Sequence, residues 1–295
     1  MSIFVRFWGI RGSIPTPGPA TRKYGGNTSC VEVRIGEGLF ICDGGTGLRE
    51  LGLDLEQRYG DRAINAHFFY SHTHWDHIQG FPFFTPAYAA QNTLHVYGTA
   101  EGDRRTYELL SGQMRSEYFP VDFGELRGSI VASHLNGGHR IIDGVAVQYY
   151  EQQHPGRSWA YSFTKDGVKI VYATDNEIDL TLTDREAAVR SPEAPRAIPD
   201  AFRRFCHGAN LLISDAQYFD DEYQRKVGWG HPRATTVVDL ALQAEVKQLA
   251  LFHHDPMHSD VDVDRKVAVC KERAARSNPD LVVFGAREGL ELRVA

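Results

Sequence analysis

Short runs of β-branched and aromatic residues, each closed by glycine or polar residues, constrain the architecture of this chain more than any other feature. Ile3–Trp8, Cys30–Ile35, Leu39–Cys42 and His67–Tyr70 read as strands. Gly44-Gly45-Thr46-Gly47 then opens a segment with apolar residues at Leu48, Leu51 and Leu55, spacing that suits a helix on a sheet's flank. The theme repeats with Thr93–Tyr97 as strand, Thr106–Met114 as helix, and Gly144–Tyr150, Trp159–Phe163 and Val168–Tyr172 as strands; Asp166-Gly167 marks a hairpin between the last two. Strands at Leu211–Ser214, Gln248–Phe252 and Leu281–Phe284 alternate with helices at Ala234–Val246 and Val261–Ala275. No linker rich in Gly, Ser or Pro separates the halves, so residues 1–295 are expected to form one α/β unit, packed sheets with helices outside. The pattern weakens before Leu211, and Ser191-Pro192-Glu193-Ala194-Pro195 suggests a surface insertion around residues 179–209.

Composition narrows the classes. At 295 residues, 42% hydrophobic and 24% charged, the chain buries a substantial core without disulfides or a structural metal. Its four cysteines, Cys30, Cys42, Cys206 and Cys270, are scattered singly, which suggests neither a disulfide framework nor a zinc ribbon, and Cys30 and Cys42 fall within strands. The net charge of −6 argues against broad electrostatic capture of nucleic acid or an anionic membrane, so no long duplex partner and no membrane partner is expected. The start, MSIFVRFWGIRGS, lacks the continuous apolar segment of a signal peptide, and no later stretch reaches membrane-spanning length; a cytoplasmic location is expected.

The chemistry concentrates after the strand His67–Tyr70. There the chain reads YSHTHWDHIQG, and His72, His74, Asp76 and His77 crowd six consecutive positions although only 13 histidines serve 295 residues. His72 and His74, two apart in extended backbone, lean to one side and can share an ion; Asp76 and His77, where the chain turns into a helix, can face a second. Imidazole with carboxylate suits zinc, manganese or iron, and the absence of nearby thiolates argues for an open, catalytic site over a closed structural one. Other strand ends offer His154 in Gln153-His154-Pro155-Gly156, Asp175 in Ala173-Thr174-Asp175, and the pair His253-His254. Singly, a histidine before proline is a turn residue and an aspartate after a strand is a helix cap. Their recurrence where an α/β sheet carries its functional loops gives them weight.

On these residues the chain resembles the metallo-β-lactamase-fold hydrolase superfamily, whose ordered ligand set is matched by His72, His74, Asp76, His77, His154, Asp175 and His253. The resemblance implies a four-layer αββα sandwich with two divalent metal ions in an edge cleft, zinc foremost, with manganese or iron as alternatives. It assigns His72, His74 and His154 to one ion, Asp76, His77 and His253 to the other, and Asp175 to both. His253 is preferred to His254 because the first histidine after the strand fits the pattern and neighbours in a strand point oppositely. FWGIRGSIPTPG, YGGNTSCVEV and FICDGGTGLRE further resemble the opening of the ribonuclease Z and cyclic phosphodiesterase branch. There Asp43 either orients a ligand imidazole by accepting its other N–H or simply forms the turn before Gly44-Gly45. Gly230-His231-Pro232-Arg233-Ala234-Thr235 resembles that branch's His-Ser-Thr segment: His231, with Asp76 the second catalytic candidate, would start a helix whose amides favour an anion, and would either stabilise phosphoryl charge, protonate a leaving oxygen, or simply cap that helix. Arg11 offers a pair for a phosphate or nucleobase, or an ordinary surface charge.

Ribonuclease Z carries a flexible tRNA-gripping arm rich in glycine and basic residues; residues 179–209 here have proline and mixed charge instead. The expected substrate is therefore a small or cyclic nucleotide-type phosphodiester, hydrolysed through a hydroxide shared by ions roughly 3.5–4 Å apart. Competing readings are a lactonase or thioesterase of the same fold, an RNA-processing endonuclease, and a non-catalytic metal-binding sensor. Related enzymes of the branch are often dimers, which makes a homodimer a further expectation.

Overall fold

A strand buried on both faces is largely apolar, and central strands of this chain read that way, as along Leu39–Cys42 and Leu249–Phe252, because each sheet is covered on both sides. The computed structural model describes residues 2–98, 103–133, 135 and 138–295. The strands, in chain order, are β1 (Ile3–Gly9), β2 (Cys30–Ile35), β3 (Gly38–Cys42), β4 (Asn65–Phe69), β5 (Thr93–Tyr97), β6 (Ser129–Ser133), β7 (His139–Ile142), β8 (Val145–Gln152), β9 (Ser158–Lys165), β10 (Val168–Ala173), β11 (Leu211–Asp215), β12 (Gln248–Phe252), β13 (Val282–Gly285) and β14 (Glu291–Arg293). They form two sheets, ordered β14-β1-β2-β3-β4-β5-β6 and β13-β12-β11-β10-β9-β8-β7. The helices are α1 (Gly47–Tyr59), α2 (Trp75–Ile78), α3 (Asp103–Gly112), α4 (Arg185–Arg190), α5 (Asp200–Cys206), α6 (Asp220–Tyr223), α7 (Ala234–Gln243) and α8 (Asp260–Ala275).

Strand alternation builds the layers. In β10, Ile170 and Tyr172 face the core between the sheets while Val171 and Ala173 face the helices; in β12, Ala250 and Phe252 face inward and Leu249 and Leu251 outward. The inter-sheet core joins Phe7, Phe40 and Phe69 of one sheet to Phe163, Tyr172 and Phe252 of the other. On the outer face of the first sheet Leu48, Leu51 and Leu55 of α1 cover Ile41 and Phe68, and on that of the second α5 and α7 cover Val171 and Leu212. The result is the expected αββα sandwich. The β9–β10 turn confirms the hairpin signal: Asp166 and Gly167 have φ of 49° and 78°, both positive as a type I′ turn requires.

Some local expectations change. Residues 179–209 hold α4 and α5, and Leu182, Ala188, Ile198, Phe202 and Cys206 of this stretch are buried in the core beneath the second sheet. Arg11 lies neither on the surface nor open to an anion: it is fully buried, its guanidinium donating to the carbonyls of Gly25 (2.8 Å), Asp255 (3.2 Å) and His258 (2.7 Å). It ties the end of β1 to the loop after β12. Cys30 and Cys42 lie in β2 and β3, and the four cysteines are free and buried. Among the described residues no helix is long and apolar enough to cross a membrane.

Candidate metal centre

The site lies where strands run out. Asp43 follows β3, Ser71 to His77 follow β4, His154 follows β8, Asp175 follows β10, Asp215 closes β11 and His253 follows β12, so one edge of both sheets gathers side chains from six separate segments. Asp43, Asp175 and His253 each take a left-handed backbone, φ 59°, 51° and 55°. Such conformations are uncommon away from glycine and turn the chain sharply at a strand end, which sends these side chains into the gap between the sheets.

Asp175 stands at the centre. Its Oδ1 lies 3.2 Å from Nε2 of both His77 and His253, and its Oδ2 lies 3.6 Å from His72 Nε2 and 3.8 Å from His154 Nε2. Asp76 Oδ2 lies 3.2 Å from the same Nε2 atoms of His77 and His253 and accepts the Ser13 N–H at 2.7 Å. His154 Nε2 faces His74 Nδ1 at 3.2 Å. Donor atoms thus fall into a set of His72, His74, His154 and Asp175 and a set of Asp76, His77 and His253, each within 4.8 Å of one another. A third overlapping set joins Asp175, Asp215, His231 and His253. Its members are already paired, because Asp215 Oδ2 takes the His231 Nδ1–H at 2.8 Å and Oδ1 takes the Gln217 N–H at 3.1 Å, so the first two sets are the better seats for cations.

The surroundings decide the tautomers. Gly230 O can only accept, so His154 donates from Nδ1 (2.9 Å). Asp43 Oδ2 likewise takes Nδ1–H of His77 (2.8 Å), and Gln217 Oε1 that of His253 (3.0 Å). Ser71 Oγ gives its one proton to Asp43 (2.8 Å) and therefore accepts from His72 Nδ1 (3.1 Å). Four buried imidazoles are left with Nε2 lone pairs turned toward one another and toward carboxylates. His72 Nε2 makes no hydrogen bond at all. A buried, unpartnered acceptor beside further acceptors is costly unless a cation fills the gap, and this donor set fits divalent metal ions. The electrostatics agree. Burial, with His77 beside it, drives the His72 imidazolium well below its ordinary range, and burial also lowers His154. His77 moves the opposite way: burial opposes its charge, but Asp76, Asp175 and Asp43 hold its pKa well above the usual value, marking a place that demands positive charge.

His231 sits over the two sets, its ring 4.9 Å from that of His253 and 5.5 Å from that of His154. Burial disfavours its charged form, but Asp215, then Asp175 and Asp76, push its pKa up to about 9. The expected anion-binding helix start is not available. Helix α7 begins at Ala234, and Asp179 occupies its end, accepting the Arg233 N–H (2.8 Å), the Arg233 Nε–H (2.9 Å) and the Thr236 hydroxyl (2.6 Å). His254 turns away from the cluster and meets Ala286 O at 3.1 Å, which leaves His253 as the one in the site. Asp43 does stand behind an imidazole, that of His77. Sequence reading missed Asp215, Gln217 and Ser71; Asp215 carried the same strand-end signal as Asp175 and could have been found by it.

Comparison with known proteins places this geometry. The Beta-lactamase superfamily domain model matches residues 40–254. Ribonuclease Z of Natronomonas pharaonis is 25% identical over an alignment covering 86% of this chain and 87% of that protein. Among solved structures, the metallo-β-lactamase fold protein YhfI from Bacillus subtilis superposes with a TM-score of 0.66 at 18% identity over 99% of both chains. The human tRNase Z, short form, gives 0.63 at 17% identity, again over 99% of both. These findings overturn the expected partner, a small phosphodiester or nucleotide with long duplex nucleic acid excluded, because the curated relatives are ribonucleases by name. The exclusion failed because a net charge of −6 sums the whole surface, whereas a cleft binds through its local field.

Proposed function

Because this chain belongs to the beta-lactamase superfamily domain family, a family of metal-dependent hydrolases, we propose that it cleaves phosphodiester bonds of RNA with two divalent ions. The observation that carries the two-ion reading is the division of Asp175, one carboxylate oxygen toward His77 and His253 and the other toward His72 and His154. His72, His74 and His154 would hold one ion, Asp76, His77 and His253 the other, and Asp175 both. Such ions, when bound, supply Lewis acidity to phosphoryl oxygens and to a nearby water.

The chain's own residues supply the rest. Asp43, Ser71, Gln217 and the Gly230 carbonyl hold Nδ1–H of four imidazoles and so keep each Nε2 aimed at the site. The Ser13 amide holds Asp76. His231, its Nδ1–H held by the Asp215 carboxylate that favours the charged ring, is placed to deliver a proton from Nε2 to the departing oxygen. RNA as substrate is supported by the ribonuclease Z relatives, and a phosphodiester by a proton donor set over both ligand sets.

The test is metal analysis together with cleavage of an end-labelled, unstructured RNA. Asp175→Ala should lose bound metal and cleavage together. His231→Ala should retain metal and cut about 10²- to 10⁴-fold more slowly, the usual worth of a positioned general acid. A metal-loaded protein that leaves RNA intact while hydrolysing a lactone or thioester would replace this reading with the acyl-hydrolase one.

A further inference from the structure

The chain has four tryptophans, and they divide sharply. Trp8 and Trp159 are buried, whereas Trp75 and Trp229 are 66% and 63% exposed. Both exposed ones border the candidate centre. Trp75 stands between His74 and Asp76, and Trp229 precedes Gly230, whose carbonyl holds His154. The 3.2 Å approach of His154 to His74 brings their two segments together at the rim. Scattered exposed apolar residues are ordinary, so exposure alone says little.

The support beneath Trp229 is the informative part. Glu177, 1% exposed, accepts the Gly228 N–H on Oε1 and the Gly230 N–H on Oε2, both at 2.7 Å, one on each side of Trp229. The Tyr223 hydroxyl donates to the same carboxylate at 2.8 Å, and the Trp229 N–H itself is taken by Lys226 O at 3.1 Å. Gly228 and Gly230 have φ of +87° and +93°, a region that side chains resist, and a Cβ on Gly230 would lie 2.3 Å from the His154 ring. A buried carboxylate and two left-handed glycines thus fix the backbone of one solvent-facing indole next to a metal-type ligand. The same support sets the Gly230 carbonyl against His154, so the loop that holds the ligand also holds the indole. The arrangement pre-organises a flat apolar surface beside the place where a phosphodiester would be cut.

Resting on the phosphodiesterase reading above, we propose that Trp229 and Trp75 form a stacking platform for the bases flanking the scissile bond, so that the substrate is engaged as an unpaired RNA segment. Bases within a duplex are stacked on one another and offer no free face to an indole; unpaired bases do. Every base has such a face, so the platform tolerates sequence.

The experiment first maps the cut made by the metal-loaded wild-type enzyme in an unstructured RNA, then repeats it on RNAs carrying an abasic residue on either side of that bond. Trp229→Ala should raise KM for the intact RNA by about 5- to 150-fold, the range a stacked base is worth, with a smaller change in kcat and unaltered metal content. Trp229→Phe should recover most of the loss. An abasic residue should weaken the wild type by a similar factor and Trp229→Ala hardly further. A wild-type KM in Trp229→Ala, or an abasic penalty of equal size in both proteins, overturns the platform alone; a wild-type enzyme that cuts no RNA overturns the reading beneath it as well.

Discussion

Replacing Asp43 by asparagine removes one charge and little volume, and its consequences can be worked from four hydrogen bonds. The buried carboxylate accepts the Ser71 N–H on Oδ1 (2.7 Å) and, on Oδ2, the Ser71 hydroxyl (2.8 Å), His77 Nδ1–H (2.8 Å) and the Tyr172 hydroxyl (2.6 Å). An asparagine can keep only one of these two faces. Its better orientation leaves the carbonyl oxygen at the Oδ2 position, retaining three donors, and sets its NH₂ against the Ser71 amide. The cost is two opposed buried donors left unpaired, the Ser71 N–H and the new NH₂, plus weaker bonds to a neutral acceptor, about 3–6 kcal/mol of stability, within the range a folded protein can bear. The larger effect falls on the metal. With a neutral acceptor behind it the His77 imidazole is a poorer electron donor and is less firmly oriented, and loss of such a partner typically costs 10- to 100-fold in metal affinity. Asp43→Asn should therefore melt cooperatively at a reduced temperature by circular dichroism, and competition with a chromophoric chelator should show weaker binding by that factor. Asp43→Ala, which leaves four donors without an acceptor, should be much less stable. Metal binding by Asp43→Asn equal to wild type, in a protein of normal fold, would refute the claim that this carboxylate tunes the site.

Two further outcomes are expected. Gly230→Ala forces a side chain into a left-handed backbone, about 1–2 kcal/mol, and drives a methyl into His154; metal affinity should fall at least about 10-fold by chelator competition while the fold persists, and an unchanged affinity would contradict the close approach. Lys266 is buried, and desolvation, partly offset by Asp255, lowers its pKa from 10.5 to about 8. Between those values the unfolded chain holds the proton that the folded one has released, so stability rises with pH there. Urea titrations of wild type and Lys266→Met from pH 7.5 to 10.5 should show their stability difference shifting in favour of wild type by up to about 3 kcal/mol, and a flat difference would refute the assignment.

The strands were legible from β-branched and aromatic runs: Cys30–Ile35, Thr93–Tyr97 and Gln248–Phe252 fall where the sequence places them, and Gln248–Phe252 is apolar on both faces from Leu249 onward. The strands not foreseen, Ser129–Ser133, His139–Ile142 and Glu291–Arg293, are the half-exposed edges of the two sheets, where short mixed runs carry no such signal. Residues 179–209 read as exposed because proline and charge dominate them, yet Phe202 and Cys206 supply enough apolar surface to seat α5 on the second sheet.

For the site, sequence determined which residue types stand at strand ends, since strand periodicity and ligand chemistry are local properties of the chain. What only the tertiary structure decided is their mutual aim. That Asp175 divides its oxygens between two groups of imidazoles, that Asp179 seals the helix His231 was expected to open, and that a buried Glu177 holds Trp229 at the rim all depend on partners dozens of residues apart. A hydrogen bond needs its donor and acceptor within about 3 Å and aligned, and chain distance carries no information about that until the sheets have packed.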